Sequence, residues 1–320
     1  MEFFQLFARA PKIRHLALPS YISFVGFPWS KLTSLGRIDE SWSLSHILST
    51  LGECRNVRRF DIALAGTYPG PLSIMNDLNI RAQSLSFLRS WSTGNATMMS
   101  TLLSCLIAPS LVELVIEGTH RGSELEADPT REEWDMTLNS FVSRSRCLLQ
   151  SLTLEGNSVG TVVGLPDVFA LIPTLTYLKL VAPLTHRIME EGLFRRLTLS
   201  SQAVPSSADD TLVPRDVVLL PKLQRVELVF TGKSNKAALN KDVLPSLSQM
   251  LDMAESRSVM RLDHGGRVIS HRLYSISVSI EIHTLSWILR RTVSNFPSAA
   301  EKARIRKLVE SGMEVQIEVQ

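Results

Sequence analysis

Leu149-Gln150-Ser151-Leu152-Thr153-Leu154 is the stretch on which the reading of this chain turns. Its aliphatics stand at the first, fourth and sixth places. The last two are two residues apart, the spacing that puts side chains on one face of a strand. The same phrase, with other apolar residues substituting, returns as Ile13-x-x-Leu16-x-Leu18, Val57-x-x-Phe60-x-Ile62 and Leu111-x-x-Leu114-x-Ile116. It returns again as Leu175-x-x-Leu178-x-Leu180, Leu223-x-x-Val226-x-Leu228 and Leu273-x-x-Ile276-x-Val278. Weaker copies are Leu32-x-x-Leu35 and Leu85-x-x-Leu88.

Internal recurrence constrains architecture more than any single residue does. The nine phrases start at 13, 32, 57, 85, 111, 149, 175, 223 and 273, with gaps of 19, 25, 28, 26, 38, 26, 48 and 50. Five gaps lie near the roughly 20–29 residues of a leucine-rich repeat, and the three long ones imply insertions. Between phrases the period becomes helical. Leu44, Ile47, Leu48 and Leu51 share one helix face, as do Met98, Leu102, Leu103 and Leu106. Leu138, Phe141 and Val142 predict a helix over 130–145, entered through Asp128-Pro129-Thr130, and Leu244, Leu247, Met250 and Leu251 predict another. Pro11, Pro109, Pro173 and Pro221 each stand two residues before a phrase, where a missing N–H ends a helix and starts a strand.

The expected fold is therefore α/β: one irregular leucine-rich-repeat solenoid over 1–320, a horseshoe with parallel strands on its concave face and helices on its convex face. Residues 200–214 (SSQAVPSSADDTLVP) and 231–240 lack an apolar period and are expected to be surface loops, with a further loop or hairpin at Asp263-His264-Gly265-Gly266. The segment 297–320 differs in composition. Ser298 and Glu301 spell a capping box, Gly312 a helix stop, and Met313, Val315, Ile317 and Val319 an alternating strand. Ile305, Leu308 and Val309 are the expected buried face of that capping helix, which closes the array.

Composition narrows the function. The 320 residues are 44% hydrophobic and 20% charged, which suits a core-forming chain. The 34 basic and 31 acidic residues leave a net charge of +3, too balanced for a nucleic-acid protein. Cys54, Cys105 and Cys147 have no CxxC spacing and read as small buried fillers, so reducing cytoplasmic or nuclear surroundings are expected. No basic n-region precedes the first apolar stretch, and the most apolar window, 162–184, is interrupted by Pro166, Asp167, Pro173 and Lys179. Neither a secretory signal nor a membrane contact is expected.

Candidate chemistry is sparse. No G-x-S-x-G elbow, P-loop or G-x-G-x-x-G is present. His264 beside Asp263 is the most site-like pair, and it supports only a remote hydrolase alternative. His264 and His271 have no third ligand in register, whereas zinc needs three or four. No catalytic, cofactor-binding or metal residue is expected, and the chain reads as a non-enzyme. Arg58-Arg59, Arg195-Arg196, Arg290-Arg291 and the cluster Lys302, Arg304, Arg306, Lys307 read as solvated faces. Trp29, Trp42, Trp91, Trp134 and Trp287 read as packing residues. The outward side chains of the phrases are the place for a partner: His15, Arg59, Asp61, Glu113, Tyr177, Lys179, Arg225 and Glu227, with Ala17, Val115, Ser151, Thr153, Ser275 and Ser277 beside them.

Several longer stretches carry a resemblance. Phe141-Val-Ser-Arg-Ser-Arg-Cys147 before Leu149, Leu171-Ile-Pro-Thr-Leu-Thr-Tyr-Leu-Lys-Leu180, Leu219-Leu-Pro-Lys-Leu-Gln-Arg-Val-Glu-Leu228 with 250–257 after it, and Ala303-Arg-Ile-Arg-Lys-Leu-Val-Glu-Ser-Gly-Met-Glu-Val315 resemble the leucine-rich-repeat region of fungal, basidiomycete-type F-box proteins. The resemblance implies an intracellular protein-recognition module, the substrate-receptor part of a ubiquitin-ligase adaptor. The F-box itself is absent, because Phe3 to Leu18 already reads as a repeat. A Skp1-type adaptor is implied as a partner only if an F-box lies upstream. The alternative is an F-box-less scaffold unrelated to ubiquitination.

Overall fold

The structure is a computed structural model that describes residues 13–17, 27–38, 43–64, 79–92, 96–118, 130–156, 164–183, 193–199, 218–232, 247–262, 266, 268–282 and 296–319. It is an α/β fold of two compact units, 1–160 and 161–320.

In the first unit six strands run parallel in chain order: β1 (His15–Ala17), β2 (Ser34–Ile38), β3 (Arg59–Leu64), β5 (Phe87–Ser92), β7 (Glu113–Gly118) and β8 (Ser151–Glu155). Two short strands, β4 (Ile80–Arg81) and β6 (Leu106–Ile107), pair in parallel as a separate ladder. The helices are α1 (Leu44–Glu53), α2 (Ala96–Cys105) and α3 (Thr130–Ser145). The second unit holds parallel strands β9 (Tyr177–Pro183), β10 (Arg225–Gly232), β13 (Ser275–Ile282) and β14 (Glu314–Val319). It also holds α4 (Leu165–Leu171), α5 (Leu193–Leu197), α6 (Ser248–Ser256) and α7 (Ala299–Glu310). An antiparallel hairpin of β11 (Arg261–Leu262) and β12 (Val268–Ser270) stands between α6 and β13.

Each of the nine phrases is followed, two residues after its first aliphatic, by the start of a strand. The local geometry explains this offset. The first aliphatic closes a turn, its N–H reaching the carbonyl three residues back, as from Leu32 to Trp29, Val57 to Cys54, Leu111 to Ala108 and Leu175 to Ile172. The next two N–H groups then share one carbonyl of the preceding phrase. Arg58 and Arg59 donate to Thr33, Val112 and Glu113 to Ser86, and Gln224 and Arg225 to Thr176. Thus each strand is held in register from its first residue.

Alternation then sorts the side chains. The inward residues Leu35, Phe60, Leu88, Leu114, Leu152, Leu178, Val226 and Ile276 are fully buried. The helices turn their own apolar faces to the core: Leu44, Ile47, Leu48 and Leu51 on α1, Leu138, Phe141 and Val142 on α3, Met250, Leu251 and Ala254 on α6. Ser43 caps α1, its hydroxyl accepting from the His46 N–H, and Ser298 and Glu301 form the expected capping box on α7. Gly312 ends α7 at φ +86, a left-handed turn that costs glycine little.

Several expectations are corrected. Leu106 lies in β6 rather than on the α2 face, because α2 stops at Cys105. Thr231 and Gly232 continue β10 instead of beginning a loop, since Thr231 still pairs with Pro183 and Glu281. On α7 only Leu308 is buried, and Val309 is 50% exposed. Among the described residues α6 and β14 pack on α7. The expected hairpin flanks do pair, but Asp263, His264 and Gly265 lie outside the described residues, as do 200–214, 233–240, Leu244, Pro11, Asp128, Pro129, Trp42, Trp287 and Arg290-Arg291.

Candidate functional site

The outward rows of the strands are where the proposed partner residues sit. In the second unit the register sets Tyr177 beside Arg225 and Lys179 beside Glu227. Four side chains then close on one another. The Glu227 carboxylate accepts from the Lys179 ammonium at 2.6 Å and from the Tyr177 hydroxyl at 2.7 Å, with Arg225 at 4.0 Å. The Arg225 guanidinium lies 5.4 Å from the centre of the Tyr177 ring, within cation–π range. Burial pushes the Glu227 carboxyl up, but the hydrogen bonds from Lys179 and Tyr177 outweigh it and hold the group below its ordinary value. Two cations thus share one carboxylate, and Arg225 stays 59% exposed above the sheet. Beside it β13 presents Ser275, Ser277 and Ser279, all half-buried.

The first unit is built differently. Arg59 is exposed and stacks on Phe87, its guanidinium carbon 3.8 Å from the ring centre. Arg89 grips Glu117 through two nitrogens at 2.9–3.1 Å. This is a fork geometry that adds direction more than stability at a partly exposed site. Asp61 pairs in register with Arg89, Glu113 with Phe87, and His15 with Ser34 at the far end of the sheet. His15 is exposed, and Asp61 and Glu113 are half-buried. The eight candidates therefore divide between the units, and only Tyr177, Lys179, Arg225 and Glu227 make a mutually bonded cluster.

Two expected outward residues, Val115 and Thr153, are buried at 9% and 8%. They are small and adjacent in register, and Val115 also stands beside Arg89. Phe87, Arg89 and Glu117 belong to the face but were not among the candidates. Phe87 and Arg89 lie in the phrase Leu85-x-x-Leu88, which has Ser90 where a third aliphatic would stand, and Glu117 follows the last aliphatic of the Leu111 phrase. That Ser90 is fully buried, and its hydroxyl has no partner among the described residues.

A second polar feature lies off this face. Arg257 at the end of α6 is fully buried, and no carboxylate bonds it among the described residues. Its guanidinium donates to the carbonyls of Leu197 (2.9 Å), Leu220 (2.9 Å) and Leu219 (2.6 Å). Burial, then the charge of Arg261, pulls its pKa down to about 10, so it remains a cation at neutral pH. It is a structural cross-brace between α5, the turn before β10, and α6.

The remaining residues behave as packing or surface. Cys54, Cys105 and Cys147 are free and buried, and burial drives the Cys54 thiol up to about 12. Trp29 and Trp134 are buried. Lys302, Arg306 and Lys307 are exposed, whereas Arg304 bridges to Asp252 at 2.6 Å and Glu255 at 2.8 Å. Among the described residues no group of His, Cys, Asp and Glu could hold a metal ion, and no helix is long and apolar enough to cross a membrane. Compared with protein-family models and with curated proteins, the sequence matches none.

Proposed function

We propose that the chain is an irregular leucine-rich-repeat scaffold whose outward strand face recognises a partner protein, in the manner of the substrate-receptor part of an F-box ubiquitin-ligase adaptor. The observation that carries this reading is the Tyr177–Lys179–Arg225–Glu227 cluster. An aromatic ring, two cations and one carboxylate are fixed in register on two strands whose inward residues Leu178, Leu180, Val226 and Leu228 are buried. Tyrosine and arginine are the residue types that anchor interfaces, because they bring large contact area together with directed hydrogen bonds. Side chains locked by neighbours lose little further freedom on binding. The ubiquitin-ligase link rests on the resemblance of 141–180, 219–257 and 303–315 to fungal F-box proteins.

Affinity capture from a fungal lysate tests the reading. Wild type and a Tyr177→Ala/Arg225→Ala variant of matched stability are compared by quantitative mass spectrometry. Loss of one set of proteins with the variant is the expected result. Equal recovery sinks the claim that this face binds. A Skp1-type adaptor in both captures supports the ligase link, and other partners without it favour the F-box-less scaffold.

A further inference from the structure

β14 is the last strand of its sheet, and among the described residues nothing pairs with the edge it turns away from β13. Which backbone groups lie at that edge follows from the ladder. The Glu314 N–H donates to the Tyr274 carbonyl on the β13 side, and in a parallel pair successive residues turn their N–H and C=O to alternate sides. Glu314, Gln316 and Glu318 therefore bond β13, while Val315, Ile317 and Val319 direct their groups to the open edge. The side chains of those three are only half-buried, whereas Ile276, Val278 and Ile280, their register neighbours on β13, are fully buried. Sheet edges are commonly blunted by shortness, a bulge, proline or lysine. β14 is six residues long, keeps an unbroken register with β13 and contains no proline, glycine or lysine.

The outward side chains determine what kind of strand fits there. β13 (SISVSIEI) and β14 (EVQIEV) carry three glutamates, Glu281, Glu314 and Glu318, and no lysine or arginine. Elsewhere on the outward rows a glutamate is gripped by a cation one strand away. Lys179 holds Glu227 at 2.6 Å, and Arg89 holds Glu117 at 2.9 Å. For Glu314 and Glu318 the corresponding places on β13 are taken by Ser275 and Ser279. Glu318 accepts from the Gln316 amide on its own strand. Glu314 is exposed and makes no ion pair among the described residues. A strand added at the open edge would bring cations to both glutamates on the plan that Lys179 and Arg89 already follow.

We propose that the β14 edge receives, by strand addition, an extended segment of a partner protein in which lysine or arginine alternates with aliphatic residues. The backbone groups of Val315, Ile317 and Val319 bond the segment, and its aliphatics complete the cover over those three side chains. Its cations come to lie beside Glu314 and Glu318 as cross-strand pairs. A second copy of the chain fits worse. Two β14 edges joined with their apolar sides aligned would set one row of glutamates against the other. The net charge of +3 gives the whole molecule no attraction for a cationic segment, so the preference arises at the edge itself. The edge is separate from the Tyr177–Lys179–Arg225–Glu227 cluster and does not depend on the reading given to that cluster.

Fluorescence anisotropy with the full chain tests the proposal. The probes are a labelled synthetic peptide that alternates lysine with valine and a second peptide with glutamate in place of lysine. Wild type is expected to bind the lysine peptide about tenfold more tightly than the glutamate peptide. Glu314→Lys/Glu318→Lys should reverse that preference. Ile317→Pro removes an N–H at the open edge without removing a bond to β13, and should weaken binding of the lysine peptide about tenfold. If the proline variant unfolds, the charge reversal alone decides. Tyr177→Ala/Arg225→Ala should bind the peptide as wild type does, which separates this proposal from the strand-face reading. Absence of binding, equal binding of the two peptides, or a preference that survives the charge reversal overturns it. Self-association of the chain that excludes the peptide makes the edge a contact between copies and overturns it as well.

Discussion

Tyr177 donates its phenolic hydrogen bond to Glu227 at 2.7 Å although fifty positions separate them in the chain. The bond exists because β9 and β10 are parallel neighbours, with Tyr177 opposite Arg225 and Lys179 opposite Glu227. A carboxylate held this way stabilises the fold only while it is ionised.

The pH dependence follows from that. The folded Glu227 carboxyl lies below its ordinary value, so its contribution is present above about pH 4.3 and is lost as the pH falls through the folded pKa. Glu227→Gln should be about 1 kcal/mol less stable than wild type at neutral pH, with the gap closing as the pH falls below the ordinary carboxyl range. Urea unfolding at neutral and at acid pH measures it. A gap that stays constant with pH contradicts the assignment.

Arg257 is the side chain whose loss should cost most. Replacing it with Met removes three hydrogen bonds and leaves the carbonyls of Leu197, Leu219 and Leu220 without that donor. The expected destabilisation is about 3 kcal/mol or more. Arg257→Lys should recover only part of this, since one ammonium cannot copy a planar fork. Denaturant midpoints of the three proteins decide it, and a Met variant as stable as wild type would refute the cross-brace.

Ser90 should give the opposite sign. Its buried hydroxyl lies in register between Ile62 and Ile116. Ser90→Ala should stabilise the chain by about 1 kcal/mol, because an unpartnered polar group is removed from an apolar layer. A loss of stability would mean that the hydroxyl is bonded in solution.

The thiols should be inert in the native state. All three are buried, and desolvation raises the pKa of each, most clearly Cys54. A disulfide-exchange reagent at neutral pH should titrate three thiols in denaturant and almost none within minutes in native buffer. Fast native reaction of one thiol would place it at the surface.

The strands were legible because their cause is local. An aliphatic at the first place closes a turn, and those at the fourth and sixth face the core, so spacing alone marks where β3, β7 or β10 begins. The candidate face was half legible. Alternation showed that Tyr177, Lys179, Arg225 and Glu227 point outward, but the bonds among them depend on the register between β9 and β10. Phe87 and Arg89 escaped because Ser90 interrupts the phrase that would have exposed them, and Glu117 because it follows the last aliphatic of its own phrase, Leu111-x-x-Leu114-x-Ile116. Arg257 was unreadable, since its partners are backbone carbonyls, which leave no mark in side-chain identity. Val309 misled because a helical period shows which residues could be buried, not whether a neighbour covers them.

Site-specific photo-crosslinking tests the central claim most directly. A benzophenone amino acid is placed at Tyr177 on the strand face, and in a second protein at Met136, which is 68% exposed on α3. The account predicts that a partner captured from lysate is crosslinked at position 177 and not at 136. Crosslinking at 136 alone, or at neither position while the partner still co-purifies, would contradict the claim that the strand face is the recognition surface.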